Sequence, residues 1–156
     1  MGSMMKQVPL DQKTAAWISY QRMRARLTER IGRELARVGL SEADFEVLSA
    51  LTDAPGASVR AFALRCGLEW EKSRLSHQLR RMEARGLITR EECVEDNRGS
   101  VISITDAGQE LLAEAQVYYD QAVRRYVTDI LTMEQIEALG TIAETVLSRL
   151  EEPSTP

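Results

Sequence analysis

Ser73, His77 and Arg80 follow one another at steps of four and three residues in the stretch Glu69 to Arg85, which has helical periodicity and stops at Gly86. On a helical wheel they lie nearly opposite Leu75, Leu79 and Met82, with Arg74, Ser76 and Arg81 flanking. A helix that buries one side and shows Ser, His and Arg on the other suits the major groove of DNA, which admits one helix. Arg74, His77 or Arg80 would reach guanine, where a well-placed bidentate contact is worth roughly 1–3 kcal/mol of discrimination. Lys72, Ser73 and Ser76 stand near the helix start, where free backbone amides also favour phosphate. The alternative for this set is a solvated charged face with no ligand.

A short hairpin follows, Leu87 to Glu95 and Ser100 to Ile104, around a tip of Asp96-Asn97-Arg98-Gly99. Its strands are rich in β-branched residues and flank a Gly-containing turn. Arg98 at the tip suits the minor groove, or else belongs to an ordinary polar turn.

Other chemistries find little support. There is no nucleophile–base arrangement and no phosphate-binding glycine loop, so an enzyme is not expected. One histidine and two separated cysteines are too few soft ligands for a structural zinc, so neither a metal nor a cofactor is expected. Cys66 is expected to be a small buried hydrophobe. Cys93 sits beside Glu91, Glu92 and Glu95, an acidic neighbourhood that disfavours a reactive thiolate.

The elements that must position these residues are mostly helical. Residues 12 to 38 form one long amphipathic helix through Trp17, Tyr20, Met23, Leu27, Ile31, Leu35 and Val38, stopped by Gly39. Ser41 caps a second helix, with Asp44 closing a capping box and Phe45, Leu48 and Leu51 facing the core. After the turn Asp53 to Gly56, Ser58 is expected to cap a third helix, Val59 to Cys66. There Ala63 meets the neighbouring helix and Gly67 makes the bend of a helix–turn–helix. Thr105 starts a helix over 106 to 130, and Thr132 with Gln135 caps the last, 133 to 150, whose stripe is Ile136, Leu139, Ile142, Val146 and Leu150. The first and last helices are too long and too apolar for a reader of this size to cover, which calls for a symmetric partner copy.

The net charge of −4 does not veto a nucleic-acid partner, because the charge is segregated. Residues 59 to 104 carry nine Lys and Arg against seven Asp and Glu, whereas residues 105 to 156 carry three against ten. Phosphate contacts are local and screened, so the basic segment counts for more than the total. No apolar run has the ~18–20 residues of a membrane helix and no signal peptide is visible, so a cytoplasmic protein without a membrane partner is expected. Met1-Gly2-Ser3-Met4 reads as a cloning scar.

These motifs together resemble the MarR (multiple antibiotic resistance regulator) family of winged helix-turn-helix transcription factors. The likeness rests on Leu40-Ser41-x-x-Asp44-Phe45-x-Val47-Leu48, on Ser73-Arg74-Leu75-Ser76, and on Arg81-Met82-Glu83-Ala84-Arg85-Gly86-Leu87-Ile88-x-Arg90. Asp96-x-Arg98-Gly99 and Ile104-Thr105-x-x-Gly108 complete it, in order and spacing, over about residues 12 to 150. The family's wing usually has two Arg after the Asp; here Asn97 stands in place of the first.

The resemblance implies a mainly α fold with a small β-hairpin wing, a winged helix-turn-helix with N- and C-terminal dimerisation helices. Residues 12–38 and 106–150 would form the dimerisation region and 40–105 the DNA-binding region, with 1–11 a scar and disordered start and 151–156 a frayed tail. It implies a homodimeric repressor on a pseudo-palindromic double-stranded DNA operator, released by a small aromatic or anionic effector. Trp17, Tyr20 and Arg24, at i, i+3 and i+7, with Phe45 and Tyr118, are the candidates for that ligand crevice. Dimer or core packing is the alternative for each of them. The competing functional expectations are a cysteine-based redox-sensing regulator of the same fold, and a helical protein-interaction module without DNA binding.

Overall fold

Asp11 accepts a hydrogen bond from the Thr14 backbone N–H at 2.8 Å and so starts α1, Gln12–Ala36. This computed structural model describes residues 11–92 and 99–153. The expected scar at Met1 to Met4, Cys93, and the wing-tip residues Asp96, Asn97 and Arg98 lie outside them. The chain leaves α1 through a turn at Gly39, whose φ of +79° suits glycine. In α2, Glu42–Asp53, the expected capping box is complete. The Asp44 N–H donates to Ser41 Oγ at 3.1 Å and the Ser41 N–H to Asp44 Oδ2 at 2.9 Å.

Ser58 does not cap a helix; Ser58–Arg60 is a strand, β1, and the Ser58 hydroxyl pairs with that of Ser103 at 2.6 Å. Helix α3 accordingly runs Ala61–Leu68, two residues later than expected, with Arg60 at its N-cap and no side-chain cap. In this helix Leu64 is buried while Phe62, Ala63 and Cys66 are exposed. Cys66 is therefore not a core residue. The bend is made by Glu69, in the left-handed region at φ 56°, and not by Gly67.

Helix α4, Lys72–Ala84, begins three residues later than its periodicity predicts, because Trp70 folds into the core ahead of it. Strands β2, Ile88–Glu92, and β3, Ser100–Ile104, form the expected wing, antiparallel, with Ile88 opposite Ile104 and Glu92 opposite Ser100. β1 adds on the other side of β3, Val59 facing Ile102, giving a three-stranded sheet in the order β1-β3-β2. Helix α5, Asp106–Val123, ends earlier than expected in a π-helical turn, Arg124–Thr128. Helix α6, Met133–Leu150, is capped as predicted by Thr132 and Gln135.

The core gathers Leu35 and Leu40, then Phe45, Val47, Leu48 and Leu51 of α2, Leu64 of α3, and Leu75, Leu79 and Met82 of α4. Ile88, Ile102, Leu112 and Ala115 close it from the sheet and α5. The ends of the chain are different. Trp17, Ile18, Tyr20 and Met23 of α1 and Leu139, Ile142, Val146 and Leu150 of α6 are exposed, and α6 buries no residue at all. Among the described residues no helix is long and apolar enough to cross a membrane.

Candidate nucleic-acid interface

The apolar side of α4 is seated on the core through Leu75, Leu79 and Met82, as the wheel predicts. That seating leaves Lys72, Ser73, Arg74, His77, Arg80 and Arg81 exposed and Ser76 half-buried. These side chains are not equivalent. The Arg74 guanidinium lies over the ring of buried Trp70, 4.0 Å from its centroid, so its direction is braced by an aromatic face. Arg81 Nη2 donates to Gln78 Oε1 at 2.9 Å. Ser73, His77 and Arg80 make no side-chain hydrogen bond to a described residue and are the set left open to a ligand.

Beside α4, an open groove of about 750 Å³ lies between α3, α4 and the wing. Leu75 and Leu79 form its apolar floor, and Arg60, Arg65, Lys72 and Arg90 stand around it together with Phe62 and Ser76. Arg65 stacks on Phe62, 5.7 Å from the ring centroid. Arg90 Nε is buried with no hydrogen-bond partner among the described residues. An apolar floor with a cationic rim suits sugar and phosphate along a strand. Arg60 and Arg65 are not singled out in the sequence, and Arg90 enters there only as the end of a family motif. They come from β1, α3 and β2, so no single period links them; the basic balance of residues 59 to 104 was the only signal.

The expected ligand-crevice residues are only partly brought together. Trp17 and Tyr20 are neighbours on α1, their ring centroids 5.4 Å apart, and both are exposed; Arg24 is exposed one turn further on. Phe45 is buried and stacked on Tyr119 at 4.6 Å, so it is occupied in core packing. Tyr118 lies under the Arg37 guanidinium, 4.5 Å from the ring centroid. No group of three or more His, Cys, Asp or Glu that could hold a metal occurs among the described residues.

Comparison with known proteins follows the same lines. The profile of the MarR family matches residues 38–99. AbsC, a MarR family transcriptional regulator from Streptomyces coelicolor, is 30% identical. The match covers 93% of this chain and 98% of that one, with a TM-score of 0.84. Sco3205 from the same organism, a MarR family transcriptional regulator solved in complex with DNA, is 31% identical over 96% and 94% of the two chains, with a TM-score of 0.86. The organohalide-sensing regulator RdhR-CbdbA1625, solved with 2,4-dichlorophenol bound, shares the fold at 19% identity. That match covers 92% of this chain and 88% of that one, with a TM-score of 0.77. No curated protein matches the sequence.

Proposed function

Because the chain belongs to the MarR family of DNA-binding transcriptional regulators, we propose that it is a homodimeric repressor that binds a pseudo-palindromic operator through α4 and is released by a small aromatic or anionic ligand. The observation that carries the DNA-binding mode is the division of α4. Leu75, Leu79 and Met82 are buried, and Ser73, His77 and Arg80 are open on the opposite side. A helix so divided presents one face to the major groove. Arg74 and Arg81, braced by Trp70 and Gln78, and Lys72 and Ser76 at the helix start would hold the backbone. Arg65 and Arg90 extend that contact along the groove, and Arg98 would serve the minor groove.

Residues 40–105 make up the DNA-binding region in this reading, and 12–38 with 106–150 the dimerisation region. An 18-residue helix whose apolar stripe is open to water is covered most simply by a second copy. The effector would meet Trp17, Tyr20 and Arg24 on α1, where an aromatic surface beside a guanidinium suits an aromatic carboxylate; Tyr118 and the buried Phe45 are engaged instead with Arg37 and Tyr119. An aromatic effector also accords with the dichlorophenol bound by the organohalide-sensing protein of the same fold.

A gel shift of genomic fragments at two salt concentrations tests the core of this reading. Retardation that weakens steeply with salt is expected. No retardation at low salt would overturn it. A thermal-shift screen with benzoate and related aromatic acids tests the effector, since a ligand of the native state raises Tm.

A further inference from the structure

Two polar side chains are buried where α2 meets α4: Asp44 is 5% exposed and Gln78 4%. The Gln78 Nε2 donates to Asp44 Oδ1. Asp44 Oδ2 accepts from the Ser41 N–H at 2.9 Å and from Arg85 Nη1 at 3.0 Å. Gln78 Oε1 accepts from Arg81 Nη2 at 2.9 Å, and Arg85 Nη2 donates to the Gly39 carbonyl at 2.6 Å. One set of hydrogen bonds therefore runs from the turn after α1, through the start of α2, into α4 and out to its polar side.

An apolar core position does not call for this arrangement. Burying a carboxylate and an amide is costly unless each is paired, and a well-packed apolar side chain at 78 would serve stability at least as well. What hydrogen bonds add is direction. Leu75, Leu79 and Met82 press α4 onto the core through a force that carries no direction of its own. A rotation of about 20° moves atoms at the helix's outer radius of ~5–6 Å by about 2 Å, enough to break a hydrogen bond to a base edge. The Gln78 amide also has one satisfied orientation, with Nε2 toward the carboxylate and Oε1 toward Arg81.

We propose that Asp44, Gln78 and Arg85 are positioning residues that fix the rotation of α4, so that Ser73, His77 and Arg80 meet base edges in one register, and that they tie this register to the turn at Gly39. The proposal rests on α4 being the recognition helix. It assigns these residues to sequence discrimination and leaves general DNA affinity to the basic side chains.

The test uses the full chain and two duplexes: one selected by the wild-type protein from a randomised pool, and a scrambled duplex of the same composition. Gln78→Met keeps side-chain length and every charge on α4, while releasing Arg81 from its brace. It should weaken binding to the selected duplex on the order of tenfold, the size of one lost base-edge contact, and leave scrambled-duplex binding and the salt slope unchanged. Arg85→Met, at a side chain 42% exposed and so tolerant of change, should do the same. Arg85→Lys, which keeps a donor for Asp44, should bind nearer to wild type. Unchanged discrimination in Arg85→Met overturns the proposal, whether or not Gln78→Met folds. Equal losses on both duplexes with a shallower salt slope also overturn it, by making Arg85 a phosphate contact. Arg80→Ala in parallel keeps the two readings apart: if it has no effect, the assignment of α4 itself fails.

Discussion

The carbonyl oxygen of Leu87 lies 2.2 Å from where a Cβ on Gly108 would stand, and Ile104 Cγ1 lies 2.9 Å from the same point. The first turn of α5 is therefore pressed against the corner between α4 and the wing. That corner is tied further by the Thr105 N–H donating to Leu87 O at 3.1 Å and Thr105 Oγ1 donating to Gly86 O at 2.6 Å. Gly108→Ala would force backbone apart here, at a cost of about 1–3 kcal/mol for overpacking. Tm should fall by about 2–4 °C for each kcal/mol. An unchanged melting curve would mean that α5 does not dock against Leu87 as described.

The apolar stripe of α6 yields a prediction about assembly. Val146 is 53% exposed in the single chain. If a second copy covers it, Val146→Glu buries an unpaired charge at the interface and should dissociate the dimer. Light scattering should then give a mass near that of one 17.5 kDa chain for the variant and twice that for wild type. Equal masses in both would place the interface elsewhere.

Cys66, exposed at the end of α3, should be open to reagent in the folded protein. In a Cys93→Ser background, Ellman's reagent under native conditions should titrate one thiol per chain, at a rate close to that in denaturant. Protection of the thiol until unfolding would restore Cys66 to the core.

Loss of the Asp44 carboxylate should show in stability as well as in recognition. Asp44→Ala removes the capping-box acceptor of the Ser41 N–H and leaves the buried Gln78 Nε2 without its acceptor. Each of these defects costs about 1 kcal/mol or more. A denaturant midpoint within error of wild type would contradict the burial of this pair.

Much of this was legible in the sequence where the physics is local. The caps at Ser41 and Thr132 form within four residues, and the burial of Leu75, Leu79 and Met82 follows from helical period alone. The failures are non-local. Strand β1 has only three residues and exists because Val59 meets Ile102 of β3, far along the chain. Ser58, read as a cap, is drawn instead into this strand, and α3 starts two residues later with Leu64, and neither Ala63 nor Cys66, in the core. Helical period puts position 78 on the buried side of α4 with Leu75, Leu79 and Met82, but what satisfies its amide does not show locally, since Asp44 lies 34 positions away. The open face of Ser73, His77 and Arg80 was legible; the groove rim from Arg60, Arg65 and Arg90 required the fold to assemble it.

The central claim is that the outward face of α4 reads DNA, and fluorescence anisotropy with the wild-type-selected duplex tests it most directly. Wild type should bind with a steep salt dependence, and Arg80→Ala should lose on the order of tenfold in affinity on that duplex with no change in Tm. Wild-type and Arg80→Ala isotherms that coincide at every salt concentration would contradict it.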